Sequence, residues 1–132
     1  MIGKLQTNKV KFAVKIFDYI HSVDSEKLAK KIAVEQNKIN KKIKIFLQVN
    51  IGDENQKSGV NKSNIGQLAS YCREMGLDLI GLMCIPPANI DPENYFNEMN
   101  KLNKISGFRE LSMGMSSDFL AAVKHFSTYV RI

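Results

Sequence analysis

Glu110-Leu111-Ser112-Met113-Gly114-Met115-Ser116-Ser117-Asp118-Phe119 reads as a short strand running into a tight turn and straight into a helix. Gly114 can take backbone angles that other residues avoid, so the amides of Met115, Ser116 and Ser117 can turn toward one point. The positive end of the following helix dipole faces the same point, which makes the turn a cradle for an anion such as phosphate. The hydroxyls of Ser116 and Ser117 lie beside those amides, and hydrogen bonds to a charged group contribute about 1.5 to 3 kcal/mol each. The local pattern has a second reading, in which Ser117 or Asp118 merely caps the helix that carries Phe119, Leu120 and Val123.

Outward from this stretch, strand and helix patterns alternate. Strands are expected over residues 1–5, 19–23, 43–49, 77–85, 111–113 and 129–132. Helices are expected over residues 9–17, after the cap at Asp24 or Ser25 with Leu28 and Ile32 on one face, through Ile65, Leu68, Ala69, Cys72 and Met75, through Tyr95, Phe96, Met99, Leu102 and Ile105, and over residues 118–125. Gly76 and Gly107 stand where helix-ending glycines belong, and Asp91-Pro92 supplies a cap followed by a first-turn proline. Alternation of this kind implies parallel strands with helices packed outside. Two architectures satisfy it, a doubly wound open sheet and part of an eight-stranded (β/α) barrel. Both bind ligands at the C-terminal ends of strands, where Asn50, Ser116 and the pair His21-Ser22 fall.

At 132 residues and 44% apolar, the chain is expected to form one domain, residues 1–132. No run approaches the roughly 20 apolar residues of a membrane span, and nothing at the N-terminus reads as a signal peptide, so a cytoplasmic address is expected. Cys72 and Cys84 lack the partners of a metal site and read as reduced core thiols. The net charge of +6 is N-terminal: residues 1–66 hold 13 lysines and 6 acids. A solvated helix surface explains this excess; nucleic-acid binding is the sharper alternative, but the basic stretch has little aromatic interleaving and no recognisable motif.

Several motifs together resemble the pyridoxal-phosphate homeostasis proteins, relatives of the N-terminal barrel of alanine racemase. They are Ile2-Gly3-Lys4-Leu5-Gln6-Thr7-Asn8-Lys9, Ile20-His21-Ser22-Val23-Asp24, Gln48-Val49-Asn50, Lys57-Ser58-Gly59, Gly81-Leu82-Met83, Leu111 to Ser116, and Val130-Arg131-Ile132. The resemblance covers essentially the whole chain in order. It implies an incomplete (β/α)8 TIM-type barrel of about six parallel strands, holding pyridoxal 5'-phosphate at the strand C-termini without an established catalytic reaction. It also implies that Ser116, with the backbone of Gly114 and Met115, holds the phosphate, and that Arg131 faces the pyridine nitrogen. Asn50 either lines that pocket or caps its own loop.

The chain also departs from the resembled family. The family's cofactor-linking lysine lies upstream of the motif that begins here at Ile2, and the family continues past Ile132 with a Gly and a Ser or Thr that complete the phosphate site. Truncation at both ends is therefore expected, with non-covalent cofactor binding, no single stoichiometric lysine adduct, and self-association through unpaired barrel edges. Phe126 stands where the family usually has a helix-ending glycine. Recipients of the cofactor would be pyridoxal-phosphate-dependent enzymes. Alternatives are a pyridoxal-phosphate-dependent amino-acid racemase-like enzyme and a basic nucleic-acid or anion-binding protein.

Overall fold

The computed structural model describes residues 1–55 and 58–132; Lys57, part of one motif named above, lies outside the described residues. Among the described residues, five strands form one parallel sheet: β1 (Tyr19–Val23), β2 (Lys44–Gln48), β3 (Asp78–Met83), β4 (Glu110–Met115) and β5 (Tyr129–Arg131). Their spatial order is their order in the chain. A doubly wound sheet reverses its strand order partway, whereas this sequential order keeps every crossover on one face and curls the sheet toward a barrel. The fold is thus an incomplete barrel of the (β/α) type. The helices α1 (Val10–Ile16), α2 (Glu26–Lys38), α3 (Ile65–Glu74), α4 (Glu93–Ile105) and α5 (Phe119–Lys124) alternate with the strands.

The expected sixth strand, over residues 1–5, does not form. Only Met1 joins the sheet: its amino group donates to the Tyr19 carbonyl at 2.7 Å and its carbonyl accepts from the His21 amide at 2.9 Å. The rest of the segment has no apolar face to bury, since Ile2 is 48% exposed and Leu5 alone enters the core, and the chain turns instead into a 3-10 turn at Thr7–Lys9.

Strand pleat sorts the remaining residues onto two faces. Ile20, Ile45, Leu47, Leu82, Leu111 and Met113 point to the helices and share one core with Leu28, Ile32, Leu68, Cys72, Phe96, Met99 and Ala122. Phe46 and Met83 are just as buried, yet stand apart from that core. They lie on the concave face, where the curl brings side chains of distant strands together: the Tyr19 and Tyr129 rings are 5.8 Å apart, and His21 lies 4.2 Å from Phe46.

Helix ends follow local chemistry. Ser25 caps α2 by accepting the Leu28 amide at 3.2 Å. α3 and α4 close with paired bonds, Gly76 to Arg73 with Leu77 to Cys72, and Gly107 to Lys104 with Phe108 to Asn103, as a residue of positive φ allows. α5 closes the same way, Phe126 to Val123 and Ser127 to Ala122, but its left-handed residue is Phe126 at φ 71°. A left-handed conformation costs a residue with a Cβ about 1–2 kcal/mol. The Phe126 side chain recovers little, being 65% exposed with only the Lys104 ammonium, 5.2 Å from its ring centroid, as a cationic neighbour. Phe126→Gly is therefore expected to stabilise the protein by about 1 kcal/mol, read as a higher midpoint in urea unfolding. A midpoint at or below that of the wild type would show that the ring packing outweighs the backbone strain.

Candidate functional site

At the C-terminal end of β4, Gly114 belongs to the strand and has φ 102°. A Cβ there would lie 2.7 Å from the Ala122 Cβ, so the glycine is what lets α5 come back hard against the strand it follows. Met115, Ser116 and Ser117 are exposed beyond it. Ser116 opens onto a cleft of about 600 Å³ that is lined also by Ile85, Pro86, Pro87, Ile90 and Asp118.

Asp118 closes this turn on itself. Asp118 occupies the cap position of α5 but its side chain bonds no helix amide. Its carboxylate instead accepts the Met115 amide at 2.7 Å, while its own amide donates to the Met115 carbonyl at 3.0 Å. One of the three cradle amides is thus engaged by an internal anion, because a carboxylate three residues on reaches it without leaving the turn. A phosphate would have to displace that carboxylate to use it.

Arg131 enters the same region from β5, where it pairs with Met115 across the ladder. Its guanidinium is buried on the concave face. Nη1 donates to the Ser112 hydroxyl at 2.8 Å and Nη2 to the Cys84 carbonyl at 2.8 Å. Among the described residues Nε, which is buried, has no hydrogen-bond partner. Among the described residues, no carboxylate lies within ion-pair distance of Arg131, and desolvation lowers its pKa from the usual value. A buried guanidinium without an anion and with one idle N–H carries unused donor capacity.

Ser112 was not singled out from the sequence, although it lies inside the quoted stretch. Its hydroxyl also meets His21 Nδ1 at 2.8 Å. The signal was there in β4, where Ser112 stands between apolar Leu111 and Met113, both of which face the helices. A polar residue alternating with buried apolar ones points to the concave face. Burial, then the charges of the N-terminal amine and Arg131, push the His21 pKa down to about 4, so its imidazole is neutral at pH 7. The Cys84 thiol, pushed up to about 12 by burial, is an inert thiol.

Asn50 stands apart from this group, at the end of β2. Its amide is spent on its own loop: Nδ2 donates to the Glu54 carbonyl at 2.7 Å and Oδ1 accepts the Glu54 amide at 3.1 Å. It also lines a small cavity of about 160 Å³ with Gln48, Ser58 and Ile85, and Ile85 is common to that cavity and the Ser116 cleft. Gly114, Met115, Ser116 and Arg131 therefore lie at the ends of β4 and β5, and Asn50 lies at the end of β2, two strands from β4. Among the described residues, no cluster suits a metal ion, no helix is long and apolar enough to cross a membrane, and none of the buried polar residues is a lysine.

Comparison with known proteins fits this arrangement. The sequence profile described as alanine racemase, N-terminal domain, matches residues 1–132. The pyridoxal phosphate homeostasis protein of Aquifex aeolicus is 38% identical over 141 residues, an alignment that takes in 99% of this chain and 62% of that protein. Among solved structures, an unknown protein from Bifidobacterium adolescentis matches with a TM-score of 0.91 at 34% identity, over 98% of this chain and 56% of that one. PipY from Synechococcus elongatus, solved with PLP bound, matches with a TM-score of 0.82 at 30% identity, over 98% of this chain and 65% of that one. The chain thus spans about three-fifths of the length of these relatives. A sequentially ordered parallel sheet curled toward a barrel, together with a profile matched from the first residue to the last, makes the chain a member of the alanine racemase N-terminal domain family.

Proposed function

We propose that this chain binds pyridoxal 5'-phosphate as a non-catalytic homeostasis protein of cytoplasmic vitamin B6, with the phosphate at Gly114, Met115 and Ser116 and the ring nitrogen toward Arg131. The observation that supports this reading best is the idle, buried Nε of Arg131. A ring nitrogen with a free lone pair is an acceptor of the right kind for it, and a group that brings its own phosphate supplies the anion that the guanidinium lacks. Asn50 forms the far rim of this site.

Arg131 also limits the chemistry. When bound, the cofactor can act as an electron sink, most effectively with its ring nitrogen protonated. A guanidinium can only donate, so Arg131 would hold that nitrogen unprotonated, which weakens the electron sink and suits a carrier more than a transaminase. Storage and delivery to pyridoxal-phosphate-dependent enzymes suit such a site. The single domain of residues 1–132 would self-associate at the two ends of the sheet, along the β5 edge and the flanking helices, where Phe12 and Ile16 of α1 and Leu120 and Val123 of α5 are exposed.

The test is a titration of the protein with pyridoxal phosphate, followed by absorbance and tyrosine fluorescence. Saturable binding is expected, and Ser116→Ala is expected to weaken it about tenfold, the loss of one hydrogen bond to a charged group. No saturable binding would overturn the function. Equal affinities for Ser116→Ala and wild type would overturn the assignment of the phosphate to this turn.

A further inference from the structure

We propose that His21 is a positioning residue for Arg131, acting through the Ser112 hydroxyl to hold the guanidinium so that its unpartnered Nε–H faces the barrel interior. This rests on the pyridoxal reading of Arg131 and extends it to two residues with no direct part in that reading.

The geometry is a three-membered chain across three strands. Arg131 Nη1 lies 2.8 Å from Ser112 Oγ, and the same oxygen lies 2.8 Å from His21 Nδ1. All three side chains are buried, His21 at 6%, Ser112 at 0% and Arg131 at 9% exposure. The direction of the chain follows from donor chemistry. A guanidinium only donates, so Ser112 Oγ accepts from Arg131; donation of the serine proton to His21 Nδ1 then satisfies both groups, since the hydroxyl meets no other acceptor among the described residues. The neutral imidazole then carries its proton on Nε2, in keeping with its lowered pKa.

The imidazole cannot easily turn away. Phe46 lies against it with centroids 4.2 Å apart, and Tyr129 meets it edge-on at 5.7 Å and 81°. A neutral acceptor here has a consequence that a carboxylate would not. It fixes the serine, and through it one arm of the guanidinium, without neutralising the arginine. The Cys84 carbonyl fixes the second arm in the same uncharged way. Arg131 keeps both its full charge and its idle Nε for a ligand.

The first test is the tautomer of His21 in the ligand-free protein, read from nitrogen chemical shifts, with His125→Gln removing the other histidine. The Nε2–H form is expected, and Ser112→Ala should release the preference. A dominant Nδ1–H form would overturn the relay. The second test compares pyridoxal phosphate with inorganic phosphate. His21→Leu, which cannot accept the serine proton, is expected to weaken pyridoxal phosphate binding about tenfold and leave phosphate binding unchanged, because the relay acts on the ring end. His21→Gln, whose carbonyl can accept, is expected to restore most of the loss.

Equal loss for both ligands would make His21 a structural residue only, and no loss for either would refute its role. Should His21→Leu fail to fold, the tautomer and the His21→Gln titration decide the matter. Failure of the wild type to bind pyridoxal phosphate would overturn the proposed function and this inference with it, an outcome distinct from a wild type that binds and a variant that binds equally well.

Discussion

Gly81→Ala is expected to cost at least about 3 kcal/mol of stability, the upper end of what overpacking a core usually costs. A Cβ at this position would run into the Glu110 carbonyl oxygen and lie 2.6 Å from its carbon, with Phe46 at 3.1 Å on the other side. The first two obstacles are backbone, which cannot rotate aside as a side chain can. Relief requires β3 and β4 to part along the ladder that pairs Gly81 with Glu110, Leu82 with Leu111 and Met83 with Ser112. Parting also strains Asn103, which ties the two strands by accepting the Leu82 amide at 3.1 Å and donating to the Glu110 carbonyl at 2.9 Å. Urea unfolding of the purified variant measures the loss. Gly66→Ala is the control, since that glycine lies in α3 with nothing within 4 Å of an added Cβ, and there alanine should gain up to about 1 kcal/mol. A Gly81→Ala protein within about 1 kcal/mol of the wild type would mean that the two strands do not approach as closely as described.

Arg131→Leu is expected to separate binding from stability. Pyridoxal phosphate affinity should fall at least about a hundredfold, because the ring loses a charge-assisted hydrogen bond and the phosphate loses a nearby cation. Stability should change by less than about 1 kcal/mol in either direction. The variant leaves the Ser112 hydroxyl and the Cys84 carbonyl without their donors, but it also removes a buried charge that has no counter-ion, and relief of that desolvation offsets the lost bonds. Isothermal titration and thermal unfolding on the same preparation give both numbers. An affinity within threefold of the wild type would remove Arg131 from the site, and a protein that unfolds on substitution would make the guanidinium a structural group.

Gly81 and Arg131 both stand in motifs legible in the sequence, Arg131 on a strand expected over residues 129–132 and formed by Tyr129–Arg131. No periodicity, however, foretold that a carbonyl would stand against the glycine or that the arginine would keep one N–H idle. Asp118 is similar. Its type announced a helix cap, yet it bonds the Met115 amide behind it rather than an amide of α5, because the positive φ of Gly114 brings that amide within reach.

What the sequence determined by itself are the features set by neighbours along the chain. The alternation of strand and helix, the parallel sense, the closing glycines at Gly76 and Gly107 and the cap at Asp24 or Ser25, which the structure places on Ser25, all rest on hydrogen bonds and side-chain spacings within a few residues. Periodicity leaves barrel and doubly wound sheet open, and within the sequence only the family resemblance points to the barrel; the loss of a strand at residues 1–5 and the meeting of His21 with Ser112, 91 positions apart, are decided in three dimensions. The reason is that twist and register, including the shift between Ser112 and Met115 in the β4–β5 ladder, select which concave-face side chains of non-adjacent strands touch. That selection depends on the curl of the whole sheet, a quantity no local stretch of residues encodes.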